Sequence, residues 1–581
     1  MPMTAIPSTP APEARPGVVS LAVLPEANFF LSLAVVSLFV LSGCTPSSSS
    51  NPPPPPATPE NGTIILVDVA TAVGIDFSIT PGPIFPELTL SGHIAMMRIM
   101  GNGVAVGDYD DDGDLDLYLL GHYDQANRLY RNEWAETGTA TFTDVTPALL
   151  ADTGLSRVAH FVDLDNDGLR DLLVINDDEN LPTSRTSRIF KNQGGGNFED
   201  RTPGSGFRPL GFLKGGAALV DYDRDGLIDI FVSNWGFLVP PDPTPDWPGQ
   251  NQLYRNLGNF QFMDVTGIAI PTLGVNSFSA IFSDFDGDAR PDLLVAVDGG
   301  PDHFYRSVGG VQFEDVSTAV GAVHGGNDMG RACADFDGDG DLDVYSTNIS
   351  DPTGFYGMGF GNVLYENQLA DSGSFSFIDR AADLGIEDTA WGWGTTFADL
   401  DLDGDFDLVA VNVFDEWILN QNPMLNTPSV LFVSEGGTGF TRQTGTGLDL
   451  PRDSRALVAF DYDRDGDLDL LVTNLAQRVQ LFENQTVTDA HSLTVSLIPD
   501  ALALGARIEA TFDPDGPGGN PPQTARCDCI AGRSYLAGTP AEVVIGLGAA
   551  TSADLRIVWA DGSETLLPAT AADQWLTVDG N

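Results

Sequence analysis

The chain has 581 residues, 82 acidic side chains against 27 basic ones and a formal net charge of −55. That balance excludes nucleic-acid binding through phosphate contacts, which needs a basic face, and 42% hydrophobic with 9% aromatic residues exclude an acidic disordered tail. The 64 Gly and 39 Pro point to turn-rich β structure, in a length that admits more than one domain.

Phe29 to Leu41 is an uninterrupted run of apolar and small residues, too short to span a bilayer comfortably and suited to the core of a signal peptide. Leu41-Ser42-Gly43-Cys44 follows directly and resembles a bacterial lipobox, so residues 1–43 read as a lipoprotein signal peptide and Cys44 as the lipidated new N-terminus. A plain secretory signal or a membrane-anchor helix is the alternative. Residues 44–62, rich in Ser and Pro, read as a tether without core-forming residues. Thr45, where inner-membrane lipoproteins usually carry Asp, implies by that resemblance an outer-membrane or cell-surface lipoprotein.

One nonapeptide, D-x-D-x-D-G-x-x-D, then recurs seven times. The copies are loop 1 (108–116), loop 2 (163–171), loop 3 (221–229), loop 4 (284–292), loop 5 (335–343), loop 6 (399–407) and loop 7 (461–469), with starts 51 to 64 residues apart. A strand of L-Y-x-N type follows each loop: 129–132, 189–192, 253–256, 304–307, 364–367, 431–434 and 481–484. A strand of F-x-D-V-T type comes next, at 142–146, 198–202, 262–266, 313–317, 377–380 and, weakly, 440–441. Its seventh copy is missing at the end and present at the start, as Leu66-Val67-Asp68-Val69. A ring closed by its N-terminal strand needs this arrangement, because it leaves no open sheet edge. Four strands per repeat of about sixty residues predict an all-β, seven-bladed β-propeller over residues 63–486.

The loops carry the chemistry. Ca2+ takes six to eight oxygens at about 2.3–2.6 Å. Asp at positions 1, 3 and 5 of a curled loop turns three carboxylates inward, Gly at position 6 makes the turn, and the carbonyl at 7 and the Asp at 9, as a bidentate group, close the shell. The predicted ligands are Asp108, Asp110, Asp112 and Asp116 in loop 1, Asp163, Asp165, Asp167 and Asp171 in loop 2, Asp221, Asp223, Asp225 and Asp229 in loop 3, and Asp284, Asp286, Asp288 and Asp292 in loop 4. They continue with Asp335, Asp337, Asp339 and Asp343 in loop 5, Asp399, Asp401, Asp403 and Asp407 in loop 6, and Asp461, Asp463, Asp465 and Asp469 in loop 7. Four carboxylates in one turn repel strongly without a compensating cation, so five to seven Ca2+ ions are expected, with loop 4 weakest because Ala289 replaces the turn Gly. Their expected role is structural, as clips between strands. The seven nonapeptides hold 33 of the 82 acids and four Arg, so 63 residues carry −29 and the other 518 carry −26. The acidity is concentrated, which argues against salt adaptation as its main cause.

These loops and strands resemble FG-GAP/VCBS repeats, the blade type of integrin α-subunit propellers, from about Ile64 to Asn484. Beyond them, short strands are predicted at 491–498, 506–512, 523–530, 542–545 and 555–559. Gly505-Ala506-Arg507, Gly546-Leu547-Gly548 and Val558-Trp559-Ala560-Asp561-Gly562 resemble elements of the ASPIC/UnbV domain, assigning residues 487–581 to a small β-rich domain of that type. Ile545 and Ala560 stand where that family often has Phe and Pro. Propeller plus this domain is the layout of the cartilage-acidic-protein-like family, which implies an extracellular, calcium-binding, adhesion-like protein. Cys333 reads as a buried thiol. Cys527 and Cys529 would share one strand face at a Cα spacing of about 6.6 Å, at the limit for a disulfide.

No Ser-His-Asp or Cys-His set is recognisable, so the chain reads as a non-enzyme. The face opposite the Asp loops carries Trp235 and Trp247, Tyr356 and Phe360, Trp391 and Trp393, and Trp417 on long connections. The bases Arg157, Lys214, Arg331 and Arg455 stand just before the innermost strands, and His93, His160 and His324 fall nearby. This is the candidate ligand face at the channel mouth, although aromatics that pin loops and cations that neutralise carboxylates explain most of these residues singly. The function expected is a lipid-anchored, exported calcium-binding propeller that acts as a binding, adhesion or scaffold module, probed by an extracellular protein or glycan, monomeric and without nucleic acid. The alternative is a carbohydrate-binding, lectin-like or carbohydrate-active, lyase-type propeller.

Overall fold

The computed structural model describes residues 63–80, 100–122, 124–177, 186–210, 213–235, 251–271, 274–350, 360–412, 427–514 and 522–581, all within the compact unit Pro56–Asn581. The predicted signal run, Cys44, the tether, His93, Trp247, Tyr356 and Trp417 lie outside these residues. No helix among the described residues is long and apolar enough to cross a membrane.

Seven sheets, each built on four antiparallel strands, follow one another along the repeats. In sheet 2 they are Ser156–Val162, Asp171–Asn176, Arg188–Asn192 and Phe198–Asp200. The first two strands are buried throughout, and the fourth is short and partly exposed. Strands covered on both faces read as apolar runs, as in the second strands Asp171–Asn176 (DLLVIN) and Asp469–Asn474 (DLLVTN). An apolar cluster lies between each neighbouring pair of sheets. Ala105, Tyr118 and Leu129 of sheet 1 meet Ala159, Leu172 and Phe190 of sheet 2. Leu457, Leu470 and Phe482 of sheet 7 meet Val409 and Leu431 of sheet 6 on one side. On the other side, Val458, Leu471 and Leu481 of sheet 7 meet Val104, Leu117 and Tyr130 of sheet 1. The sheets therefore close into a propeller ring.

The N-terminal strand Leu66–Asp68 completes sheet 7 as its sequence pattern predicts, pairing Leu66 with Asn484, Val67 with Glu483 and Asp68 with Phe482. The repeat motifs have specific work. The Asn at the end of the third strand, present in five sheets and replaced by Ser307 and Ser434 in sheets 4 and 6, donates its side-chain N–H to the position-2 carbonyl of the preceding loop: Asn132 to Tyr462, Asn192 to Tyr109, Asn256 to Leu164, Asn367 to Phe285 and Asn484 to Leu400. These bonds tie neighbouring sheets at five of the seven junctions of the ring. In sheets 1 to 4 the Thr or Ser ending the fourth-strand motif accepts a backbone N–H of the third strand: Leu129 to Thr146, Ile189 to Thr202, Leu253 to Thr266 and Phe304 to Ser317.

Residues 491–581 form two further sheets. One places Glu542–Gly548 and Gln574–Asp579 on either side of His491–Ile498, and the other runs Gln523–Asp528, Arg507–Phe512, Ser552–Val558, Glu564–Ala571. The five predicted strands are present, while Glu564–Ala571 and Gln574–Asp579 were not anticipated. Cys333, Cys527 and Cys529 are buried free thiols.

The segment between these strands enters the propeller axis. Ala537–Gly538 adds a parallel fifth strand to sheet 1 beside Val104 and Ala105. Ala531 bridges to Leu219 of sheet 3, the Ser534 N–H donates to the Arg331 carbonyl of sheet 5 at 2.6 Å, and the Ser534 hydroxyl accepts from Thr395 N–H of sheet 6 at 3.2 Å. At the tip, Tyr535 is fully buried and donates its hydroxyl to the Met100 carbonyl at 3.0 Å. The core shared by sheets 2 and 3 continues without a break into the C-terminal sheets.

Candidate functional site

Each Asp loop joins the first and second strands of its sheet, and the seven share one local geometry. The position-1 carboxylate accepts the N–H of position 6: Gly113 to Asp108 at 3.1 Å, Gly168 to Asp163 at 2.8 Å, Gly226 to Asp221 at 2.7 Å, Ala289 to Asp284 at 2.9 Å, Gly340 to Asp335 at 3.0 Å, Gly404 to Asp399 at 3.0 Å and Gly466 to Asp461 at 3.1 Å. Asp112, Asp167, Asp225, Asp288, Asp339, Asp403 and Asp465 at position 5 each accept the N–H of position 7. These bonds curl the chain and leave positions 1, 3 and 5 around a common centre. Position 6 has φ between +85° and +98° in the six loops with Gly, a region without penalty only for that residue. Ala289 is held at φ +65°.

Position 9 does more than the predicted ligation. Asp116, Asp171, Asp229, Asp343, Asp407 and Asp469 accept the position-2 N–H on one oxygen and a third-strand N–H on the other. Asp292 makes only the third-strand bond, to Ser307. The ninth carboxylate is thus a staple between strands, with its remaining lone pairs turned to the loop. Carboxylate oxygens of Asp108, Asp110 and Asp116, of Asp163, Asp165 and Asp171, of Asp221, Asp223 and Asp225, and of Asp284, Asp286 and Asp288 lie within 4.8 Å of one another, as metal ligands would.

A cation fits these cradles on one repeated observation. In every loop at least one buried carboxylate oxygen has no hydrogen-bond partner: Oδ1 of Asp110, Asp165, Asp223, Asp284, Asp335 and Asp399, and of both Asp461 and Asp463. A buried acceptor left alone is costly. The electrostatics agree. Burial, reinforced by neighbouring carboxylates, pushes Asp110 up to about 7, while burial pushes Asp335 up to about 7 and Asp171 up to about 8 despite backbone N–H donors. Burial also raises Asp461 to about 8, against the lowering effect of Arg464. Asp401 rises to about 6 from burial and then Asp403. A cation among such clustered acids would favour their charged form.

The nonapeptide reading missed a fifth acid. Asp114, Asp341, Asp405 and Asp467 occupy position 7 of loops 1, 5, 6 and 7, where the run D-G-D marks them. The first three accept backbone N–H groups of Ala135, Ala370 and Gly436. Asp114, Asp341 and Asp467 each keep a buried oxygen without a partner.

The C-terminal sheets sit on this same face. Asp500 accepts the Asp163 N–H of loop 2 at 2.8 Å, and the Arg526 guanidinium donates to the Gly340 carbonyl of loop 5 at 2.9 Å. Gln523 donates to the Gly404 carbonyl at 2.8 Å and Gly548 N–H to the Leu402 carbonyl at 2.9 Å, both in loop 6. Gly546 passes so close to loop 6 that a Cβ there would overlap the Asp399 carboxylate. Arg464 of loop 7 donates to Glu542 at 2.6 Å and to the Gly113 carbonyl of loop 1 at 2.8 Å, and lies 3.8 Å over the Trp575 ring.

The candidate ligand face lies at the other end of the inner strands, and its bases are buried there. Arg157 pairs with Asp177 at 2.5 Å, Arg331 with Asp302 at 2.6 Å and Arg455 with Asp453 at 2.6 Å. Lys214 is equally buried, and its backbone N–H donates to Asp177. Trp393 is buried between Arg455, 4.8 Å over its ring, and Tyr535, 4.8 Å away, and Trp391 stacks on it at 6.4 Å. Trp235 stacks on Phe278. Phe360 is exposed beside His324. His160 is buried within its strand and pushed down to about 4 by that burial.

Comparison with known proteins adds the following. The FG-GAP-like repeat family matches residues 108–174, 163–232, 244–295 and 284–346, and the ASPIC and UnbV family matches residues 499–581. Human cartilage acidic protein 1 is 23% identical over 501 residues, 79% of this chain and 69% of that protein. The Xenopus tropicalis protein of the same name is 26% identical over 159 residues, 27% of this chain and 24% of its own length. Among solved structures, the BP39L lectin of Burkholderia pseudomallei aligns with a TM-score of 0.41 at 8% identity, over 67% of this chain and 99% of that one.

Proposed function

From a chain that carries FG-GAP-like repeats and an ASPIC and UnbV domain and shares homology with cartilage acidic protein 1, we propose an exported, seven-bladed, calcium-binding propeller that acts as a binding or scaffold module. The observation that carries this reading is the partnerless buried carboxylate oxygen repeated in all seven loops. Ca2+ is the cation proposed because it alone among common hard cations accepts so many carboxylates in a flexible, oxygen-rich shell. Bound there, it would offset two of the loop's negative charges. The chain's own residues do the rest: positions 1, 3 and 5 orient oxygens, and position 9 locks the loop to the third strand.

The role proposed is binding, not catalysis. The loop face is occupied by the chain's own C-terminal sheets, and the axis is filled by the Tyr535 segment. A partner, an extracellular protein or a glycan, is therefore assigned to the opposite face or the outer rim. Residues 1–43 would direct export, and lipidation at Cys44 would hold the protein at the outer membrane or cell surface. Metal analysis of the purified protein, equilibrated with micromolar Ca2+ and desalted, should find five to seven calcium atoms per chain. Less than one per chain would remove the calcium reading.

A further inference from the structure

The seven loops are alike in their carboxylates but differ in what stands over them. The third residue of each L-Y-x-N strand lies beside its loop, and it is Arg131, Lys191, Arg255 and Arg306 in sheets 1 to 4 but Glu366, Val433 and Glu483 in sheets 5 to 7. Four bases do not make four equal sites. In sheet 1, Arg131 is drawn off to Glu133 at 2.8 Å, and in sheet 4 Arg306 is drawn off to Glu314 at 2.9 Å. Among the described residues, Lys191 and Arg255 pair with no acid outside their loops and turn into them. The Lys191 ammonium contacts Asp165 and lies 2.7 Å from Asp167. The Arg255 guanidinium lies 2.5 Å from Asp223 and 2.8 Å from Asp225. In both, one cation spans positions 3 and 5, the carboxylates that would hold the metal. Loop 4 has only a partial counterpart, its own Arg290 on Asp288 at position 5.

Resting on the calcium reading above, we propose that Lys191 and Arg255 are tethered counter-ions that divide the loops into two classes. Loops 2 and 3 are partly neutralised by the chain itself and take Ca2+ weakly, because the entering ion must displace or face a positive charge at bonding distance. In loops 5, 6 and 7, among the described residues, no base pairs with the carboxylates at positions 3 and 5: Arg526 reaches the Gly340 carbonyl and Arg464 turns to Glu542 and the Gly113 carbonyl, and these loops take Ca2+ tightly. Asp223, whose side chain is 99% buried, still keeps one oxygen without a partner, so its loop retains room for an ion once the base is gone.

Calorimetric titration of the full chain with CaCl2 tests this. The wild type should show two classes of site, and the Lys191→Met, Arg255→Met double variant should move two ions from the weak to the tight class, with affinity rising on the order of tenfold or more at each. Each single substitution should move one ion, which keeps the test available if the double variant does not fold. The charge-retaining pair Lys191→Arg, Arg255→Lys should titrate like the wild type. A wild-type isotherm with one class of site, a methionine pair that titrates like the wild type, or an equal shift in the charge-retaining pair would overturn the inference and leave calcium binding standing. A wild type that binds no calcium would overturn both.

Discussion

Ala289 shows how far one residue can depart from the repeat without losing the loop. Its N–H still reaches Asp284 at 2.9 Å, so the turn is made, but at φ +65° the Cβ is placed where L-residues pay about 1 kcal/mol or more. Ala289→Gly should stabilise the protein by about 0.5–1 kcal/mol, read from the midpoint of denaturant unfolding in chelator. A loss of stability would show that the loop is not strained there. At this scale the nonapeptide was highly legible, since spacing alone brings positions 1, 3 and 5 together. The staple role of position 9 was not, because its donors lie in a third strand 15 to 27 residues away. The position-7 acids were written in the sequence as D-G-D, but attention to the repeat's common letters passes over a residue present in only four copies.

The strands were legible for a different reason. Period and motif agree in every repeat, and the closing strand Leu66–Asp68 is found because a missing last copy and an extra first copy imply each other. Glu564–Ala571 escaped because it is largely exposed and contains Pro568, so it lacks an apolar alternation. Gln574–Asp579 escaped because it pairs in parallel with His491–Ile498, a partner some eighty residues upstream that no local pattern reveals. Between elements, Arg464 carries an unusual share of contacts, joining loop 7 to loop 1 and to the C-terminal sheets through Glu542 and Trp575. Its side chain and that of Glu542 are almost wholly buried, so removing one partner leaves a buried charge alone. Arg464→Ala should cost about 3 kcal/mol and increase protease cleavage between the propeller and residues 491–581. Unchanged stability and cleavage would mean that this contact does not hold the C-terminal sheets in place.

For the molecule as a whole, the charge of −55 resolves into seven acidic loops and a diffuse remainder. The cradles lie under the C-terminal sheets, and the axis holds the Tyr535 tip, so loops, cap and plug form one continuous packing. The loops' charge was legible in the sequence, but their packing against the C-terminal sheets and the Tyr535 tip was not, because it joins residues hundreds of positions apart through contacts of no distinctive composition. The metal-free molecule has a definite pH signature. Asp110 and Asp335, raised to about 7, and Asp171 and Asp461, raised to about 8, keep protons in the folded state that the unfolded chain has already released. The native state then binds more protons than the unfolded one, so stability must fall as pH rises from about 4 to about 8. In chelator, Tm should decrease across that range. With saturating Ca2+, which displaces those protons, the decrease should disappear.

Thermal unfolding of the full chain at neutral pH, in millimolar Ca2+ and again in excess chelator, tests the central claim most directly. Each tight site adds about 2.7 kcal/mol at a free concentration a hundred times its Kd, so five or more ions should raise Tm by about 10 °C or more, and magnesium should substitute poorly. Coincident melting curves in calcium and in chelator would contradict the account.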